Sequence, residues 1–109
     1  MELLTAELRA QLPPLYAQEQ LEMDDKTVYV KLFTPDANWT WYVTEGSAEG
    51  DDFLLFGFVY GHTGEWGYSS LNELEALRGP LGLPIERDLH FQPAPWQQVK
   101  AQHEATHAT

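Results

Sequence analysis

The order of apolar and polar residues predicts two strands early in the chain. Residues 28–33 alternate apolar side chains with more polar ones, and residues 39–45 do the same and end at Glu45. Between them, Thr34-Pro35-Asp36-Ala37 has the proline position of a β-turn. A period of two is typical of strands, so we expect an antiparallel pair over about 27–33 and 38–45.

A second pair of strands is indicated further along the chain. Glycine and acidic residues over 46–51 predict a loop. Residues 53–60 lack alternation, which favours a central strand covered on both faces. The loop 61–64 then leads to a strand over 65–69, which completes a hairpin.

Three helices are indicated by their end signals. Thr5 precedes a short helical pattern that Pro13 ends, and Ser70 with Glu73 forms a capping box for a middle helix. A last short strand is predicted over 85–91, and a C-terminal helix from Trp96 to about residue 105. The pattern therefore predicts one α+β domain over residues 1–109. It contains an antiparallel meander of four to five strands, an N-terminal helix, a capped middle helix, a C-terminal helix and a frayed tail from about residue 103.

Composition narrows the classes of function. The 109 residues carry 17 acidic and 6 basic side chains, a formal charge of -11, and no cysteine. This excludes disulfide scaffolds and thiolate metal sites, and no apolar run approaches the length of a membrane span. We expect a cytoplasmic protein that binds neither duplex DNA nor membranes directly, because it repels phosphate groups. A charged partner should be a basic protein surface, such as that of a nucleic-acid-binding protein.

The predicted meander gathers acidic residues at one edge of its sheet. The residues concerned are Asp24, Asp25, Glu45, Glu49, Asp51 and Asp52. Acidic loops commonly serve solubility alone, but two functional interpretations are open. Carboxylates at alternate strand positions stand about 6.6 Å apart, so the edge could imitate DNA phosphates. Alternatively, two or three of them could bind Mg²⁺ or Mn²⁺ and activate water against a phosphodiester.

Two further sets of titratable residues could serve either a structural role or a functional one. Glu86, Asp88 and His90 share one face of the predicted last strand, which suits a metal or acid-base site or simply a solvated strand edge. His103 and His107 have helical zinc spacing, without an evident third ligand. We therefore predict no cofactor and no metal site for a binding function. Mg²⁺ or Mn²⁺ is expected only for the alternative, nuclease function.

Several motifs resemble a known family, the domain-of-unknown-function family 2958. The resemblance covers about residues 3–99, and its most specific parts are the hairpin arm and the stretch after the middle helix. The motifs are Leu3-Leu4-Thr5, Phe33-Thr34-Pro35, Asn38-Trp39-Thr40-Trp41-Tyr42, Glu65-Trp66-Gly67-Tyr68 and Arg78-Gly79-Pro80-Leu81-Gly82-Leu83-Pro84-Ile85-Glu86-Arg87-Asp88-Leu89.

The resemblance implies a setting and an alternative activity. Members of that family are small bacterial proteins carried largely on plasmids and other mobile elements, where acidic proteins act against restriction and CRISPR systems. Some members are described as single-stranded DNA endonucleases. For that activity the residues to suspect here are Glu45, Asp52, Glu65, Glu86 and Asp88.

Two functions from different classes remain open on the sequence. The first is an acidic accessory protein of a mobile element, a DNA mimic that inhibits a host nucleic-acid-binding defence protein through the acidic edge. The alternative is a metal-dependent endonuclease of single-stranded DNA, which would need Mg²⁺ or Mn²⁺.

Overall fold

A five-stranded antiparallel sheet forms the centre of the protein. The computed structural model describes residues 2–107. The strands of this sheet are β2 (Val30–Phe33), β3 (Thr40–Glu49), β4 (Asp52–Tyr60), β5 (Gly64–Ser70) and β6 (Glu86–Arg87), in the spatial order β5-β4-β3-β2-β6. Neighbours along the chain are neighbours in the sheet from β2 to β5, as in a meander, and β6 returns to the outer side of β2.

Three helices and a small second sheet complete the α+β fold predicted from the sequence. The helices are α1 (Ala6–Gln11), α2 (Leu71–Ala76) and α3 (Trp96–His107), with a 3₁₀ helix at Met23–Asp25. The second sheet pairs β1 (Thr27–Val28) with β7 (Ala94–Pro95). The predicted strand at 27–33 is thus interrupted at Tyr29, and its two parts belong to different sheets.

The capping signals act as the sequence predicts. The Thr5 hydroxyl accepts a hydrogen bond from Leu8 N at 3.1 Å, and the Ser70 hydroxyl accepts one from Glu73 N at 3.2 Å. Each satisfies a backbone donor that the first turn of a helix leaves without an intrahelical partner.

The two faces of the sheet support separate hydrophobic clusters. The N-terminal segment and α2 cover the first face, and their cluster is Leu3, Leu4, Leu12, Val30, Leu32, Trp41, Val43, Phe53, Leu55, Leu71, Leu74 and Ile85. Helix α3 covers the second face, where Val28, Tyr42, Trp96 and Val99 are buried against half-buried aromatic rings. Trp66 of β5 belongs to this cluster as well, since its ring centroid lies 5.4 Å from that of Trp96 in α3.

The predicted loop over 46–51 is wrong. Strand β3 continues to Glu49, and only Gly50 and Asp51 form the turn into β4. Gly50 has φ +58°, a conformation that glycine adopts without steric cost, which permits so tight a turn. The glycine and serine of the segment are accommodated because Gly46 and Ser47 pair with Leu55 and Leu54 of β4.

Strand β3 is the strand that is covered on both faces. The prediction that residues 53–60 form this strand is wrong. Residues Thr40 to Gly46 are all buried, whereas burial alternates along most of β4. The middle of the sheet is β3 because β2 and β6 add to its far side, and strand order is not visible in hydropathy alone.

A β-bulge in β3 reverses the facing of the residues that follow it. Val43 pairs with Gly57 while Glu45 pairs with Phe56, so Thr44 is an extra residue, and its hydroxyl donates to Phe56 O at 3.1 Å. Regular alternation would put Glu45 beside Val43 on the first face. The bulge puts it on the second face, beside Phe56.

The predicted strand over 85–91 is much shorter in the structure. Only Glu86 and Arg87 pair with β2, and the chain then turns at Leu89 and His90. The Asp88 carboxylate accepts a hydrogen bond from His90 N at 2.9 Å, which is an Asx-type turn that ends the ladder.

Helix α3 is confirmed and extends past its predicted end. The sequence predicts a frayed chain end from about residue 103. The helix instead runs to His107, and the His103 side chain is buried. Residues 108 and 109 of that predicted tail lie outside the described residues, and the single-domain assignment stays a prediction. No helix within residues 2–107 is long and apolar enough to cross a membrane.

Candidate functional site

The six carboxylates predicted to share one sheet edge have two different environments. Four are exposed on the surface: Asp24 and Asp25 in the 3₁₀ helix that packs on α3, and Glu49 and Asp51 at the β3–β4 turn. The other two, Glu45 and Asp52, are held by hydrogen bonds within the protein. The structure thus gives no continuous array of six, but two separate exposed pairs.

Glu45 is a structural carboxylate. Its side chain is on a residue only 4% exposed, and its two oxygens accept hydrogen bonds from Tyr16 N at 2.9 Å and Gln18 N at 2.7 Å. The Gln18 side chain in turn bonds the backbone of Thr27 and Thr44. Glu45 therefore anchors the segment that follows α1 onto the second face of the sheet.

Asp52 fixes the beginning of α2. Its carboxylate accepts from the Ser70 hydroxyl, from Asn72 N at 3.0 Å and from Phe53 N at 2.7 Å. The Ser70 hydrogen bond above all, with the Asn72 amide, holds the pKa of Asp52 below its usual range. This carboxylate stabilises a helix terminus and the hairpin that precedes it.

The carboxylates suspected for an endonuclease do not converge. Glu65, the second residue of β5, pairs with Val59, whereas Glu86 and Asp88 lie at the far edge of the sheet, where Asp88 forms an ion pair with Lys31 at 3.8 Å. Within residues 2–107, no group of three or more His, Asp or Glu side chains is placed to hold a metal ion. His103 and His107 stack on each other with ring centroids 4.0 Å apart.

An aromatic groove opens on the second face of the sheet, beyond the edge of α3. It has a volume of about 190 Å³. We use "aromatic groove" for the space lined by Tyr16, Glu19, Met23, Lys26, Glu45, Phe56, Trp66 and Tyr68.

The hairpin of β4 and β5 and the segment that carries Tyr16 build the walls of the aromatic groove. Phe56 of β4 contacts Trp66 and Tyr68 of β5, with ring centroids 5.8 and 4.9 Å apart. Tyr16 stands opposite, and its hydroxyl lies 3.4 Å from that of Tyr68, a contact that raises the pKa of Tyr68. The backbone of Tyr16 has φ +74°, a strained conformation for a tyrosine, which the Glu45 hydrogen bond to its amide helps to hold.

The aromatic groove has exposed apolar side chains and an acidic surround. Tyr16, Met23 and Tyr68 are 62%, 59% and 52% exposed. The segment that carries Tyr16 and Met23 also carries four exposed acids, which are Glu19, Glu22, Asp24 and Asp25. The Lys26 ammonium donates to Gln18 O at 2.6 Å, within the same segment.

The sequence pointed to only part of this surface. Trp66 and Tyr68 occupy alternate positions of the strand predicted over 65–69, which places them on one face of the sheet. Tyr16 lies between Pro14 and a polar stretch, without the periodicity that marks a surface. Hydrogen bonds to β3 bring Tyr16 to the sheet: Glu45, placed by the bulge, accepts from Tyr16 N, and Ser47 Oγ accepts from Leu15 N.

A second concave region, the histidine cleft, lies between α3 and the outer strands β2 and β6. Two adjoining depressions of about 470 and 440 Å³ share Lys31, Asp88, His90, His103 and His107. At its inner end the Tyr42 hydroxyl lies 2.7 Å from His103 Nδ1, and the Tyr60 ring stacks on His103 at 3.8 Å. Burial raises the pKa of Tyr42 far above its usual range, so this hydroxyl stays protonated at ordinary pH.

We expect the buried His103 to make folding stability depend on pH. Burial first, and then the charges of His107 and Lys31, lower the pKa of His103 from 6.5 to about 4. Between these two values the unfolded chain binds one proton more than the folded chain, so stability is full above about pH 6.5 and falls as the pH drops towards 4. The expected loss is about 2 kcal/mol, after allowance for the water in the open cleft.

Urea unfolding at pH 7, 5.5 and 4.5 measures this effect. His103→Gln should reduce the slope of stability against pH in this window, whereas His62→Gln, at an exposed histidine, should not. Equal slopes for the wild type and His103→Gln would contradict the assignment.

Comparison with known proteins identifies the family and nothing more specific. The family described as "Protein of unknown function (DUF2958)" matches residues 3–106. No curated protein and no solved structure matches the chain. The resemblance seen in the sequence motifs is thereby confirmed over nearly the whole chain.

Proposed function

The chain belongs to the DUF2958 family, and we propose that it is an acidic binding protein that docks on a basic, nucleic-acid-binding protein through the aromatic groove and its acidic surround. The observation that carries the proposal is the exposure of Tyr16, Met23 and Tyr68 inside an acidic rim. Binding of this kind would keep the partner from its nucleic acid.

The form of this surface is that of a protein interface. Interface centres are enriched in tyrosine, tryptophan and methionine, and their rims are polar and solvated. Here aromatic side chains line the groove, Glu19 lies among them, and the exposed acids Glu22, Asp24 and Asp25 follow on the segment that carries Tyr16 and Met23. A negative rim accelerates association with a positive partner and repels nucleic acid.

The biological setting of the proposal comes from the family resemblance. We propose that the protein acts in the cytoplasm as an accessory factor of a plasmid or other mobile element, against a host restriction or CRISPR protein. The DNA mimic expected from the sequence depends on six carboxylates. In the docking surface proposed here, acidic side chains steer the encounter with the partner and aromatic side chains hold it.

The alternative, a metal-dependent endonuclease of single-stranded DNA, stays a prediction without an observation that favours it. Its five suspected carboxylates belong to separate places, and two of them are occupied by internal hydrogen bonds. A cutting assay with Mg²⁺ or Mn²⁺ and a Glu86→Gln/Asp88→Asn variant tests it directly.

The docking proposal is tested by reversing charge at matched positions. After capture of a host protein on the immobilised wild type, the purified partner is titrated against Asp24→Lys/Asp25→Lys and against Glu49→Lys/Asp51→Lys. We expect the first variant to weaken binding at least tenfold, because it changes the rim of the groove, and the second to weaken it less than threefold.

Salt and nucleic acid provide two further measurements on the same partner. The wild-type association rate should fall steeply as salt is raised, and a DNA ligand of the partner should compete. Equal loss of affinity in both charge variants would contradict an interface centred on the groove. Unchanged affinity in both variants would refute a role for these acids in binding.

A further inference from the structure

The walls of the aromatic groove present ring faces and edges to one small space. Phe56 and Trp66 are nearly parallel, at 16° and 5.8 Å between centroids, while Phe56 and Tyr68 are tilted by 55°. Tyr16 closes the opposite side through its contact with Tyr68. At about 190 Å³ the space is smaller than a drug-sized site and has room for one extended side chain.

A buried negative charge lies in the wall of this space. The Glu45 carboxylate is desolvated, and two backbone amides bind its oxygens, but it has no ion-pair partner among residues 2–107. The nearby Lys26 ammonium is bonded to Gln18 O instead. Glu19 adds a second carboxylate at the exposed side of the groove.

Aromatic rings together with carboxylates form a site for a cation. The face of an aromatic ring is negative and attracts ammonium and guanidinium groups, more strongly where water is excluded. An anion or a phosphate group would face Glu45 and Glu19 and is disfavoured by the same charges. The lining residues carry two carboxylates, Glu19 and Glu45, and one ammonium, Lys26, so their net charge of -1 favours a cation over a neutral side chain.

We propose that the aromatic groove binds the side chain of an arginine supplied by the basic partner, an inference that rests on the function proposed above. Guanidinium is planar, stacks on aromatic rings and is weakly hydrated, so it loses less on leaving water than the ammonium of lysine does. Its fork of N–H donors can meet Tyr68 and Tyr16 oxygens as well as a carboxylate. The surrounding acids steer the rest of a basic segment into place.

The test uses a short blocked peptide with one arginine, and the same peptide with lysine or with uncharged citrulline. Binding is followed by NMR through the indole N–H of Trp66, assigned with Trp66→Phe. We expect the arginine peptide to bind at least fivefold more tightly than the lysine peptide, and the citrulline peptide to leave the Trp66 signal unmoved.

Matched variants separate the groove from the rest of the surface. Tyr68→Ala removes an exposed wall and should weaken the arginine peptide at least tenfold, whereas Trp39→Ala, at an exposed aromatic residue outside the groove, should not change it. Equal urea midpoints for Tyr68→Ala and wild type establish that the variant is folded. If Tyr68→Ala is not folded, the arginine, lysine and citrulline series on the wild type decides alone.

Three results would overturn the inference. They are equal affinity for the arginine and citrulline peptides, an arginine peptide that shifts other NMR signals but not the indole N–H of Trp66, and unchanged binding of the arginine peptide to folded Tyr68→Ala. Failure of this inference differs from failure of the proposed function. A partner that loses affinity for both Tyr68→Ala and Asp24→Lys/Asp25→Lys, while the arginine, lysine and citrulline peptides do not differ, would refute the arginine site and leave the docking function standing.

Discussion

Replacing Glu45 by alanine should destabilise the protein by about 3 kcal/mol, because Glu45 is buried and accepts two backbone hydrogen bonds. The change removes the acceptor of the Tyr16 and Gln18 amides, of which the Gln18 amide is buried. A buried N–H group without a partner loses its hydrogen bond and does not regain one to water. Hydrogen bonds to a charged acceptor contribute more than neutral ones, and here two are lost together.

The consequences of Glu45→Ala should also be local. Without this carboxylate the amides of Tyr16 and Gln18 lose their acceptor, although Leu15 N keeps its hydrogen bond to Ser47 Oγ. Amide exchange should therefore accelerate over residues 16–21, and the arginine peptide should bind more weakly because the strained backbone of Tyr16 is held less firmly. Denaturant unfolding and hydrogen exchange measure the two effects. Glu49→Ala, on the same strand but exposed, is the control and should change stability by less than about 0.5 kcal/mol.

A Glu45→Ala protein as stable as Glu49→Ala would contradict the anchoring role. The segment after α1 would then be held by the Gln18 side chain and by the hydrogen bonds that join Pro13 O and Leu15 N to β3.

Replacing Gly57 by alanine should have an effect of similar size, at about 3 kcal/mol or more. A Cβ atom at Gly57 would overlap the backbone carbonyl of Tyr42 and approach Val43 Cα on the neighbouring strand. These are backbone atoms at the beginning of the bulge, so they cannot move aside without opening the ladder between β3 and β4.

The matched control lies directly across the sheet. Gly67 pairs with Gly57 on the other side, and a Cβ atom there meets nothing within 4 Å. Gly67→Ala should therefore be neutral or slightly stabilising, because alanine restricts the unfolded chain. Urea midpoints of the two variants compare them, and equal midpoints would show that β3 can withdraw from Gly57 at little cost.

The elements that could be predicted were those with local physical causes. Thr5 and Ser70 mark helix starts because their hydroxyls satisfy amides only three residues away. The strand at 65–69 and the helix after Trp96 follow from periodicity in the same way. The α+β class followed from the order of these elements, since each must bury its apolar face against another.

The predictions that failed depended on atoms distant in sequence. Residues 46–51 have loop composition, but β4 offers a full set of backbone partners, and pairing prevails over composition. Residues 85–91 alternate like a strand, but only two of them find a partner in β2. Local pattern shows what a segment can form, and the neighbouring strand decides how much of it forms.

The candidate site shows the same division more sharply. The charge of -11 and the clustering of acids near residues 19–25 are written in the sequence, and they already indicate a basic partner. The position of Glu45 is not, because one extra residue at Thr44 moves its side chain from one face of the sheet to the other. Nothing in the local sequence distinguishes a regular strand from a bulged one here.

By itself the sequence determined the class of fold, the sign of the charge and the family. Each of these depends on composition, on residue spacing or on motifs that can be read along the chain. The tertiary structure alone decided that Glu45 is buried, that Asp52 is hydrogen-bonded to Ser70, and that Tyr16 meets Phe56, Trp66 and Tyr68 in one groove. The physical reason is that these contacts join residues from 18 to 52 positions apart, and their geometry is set by strand register and by one bulge.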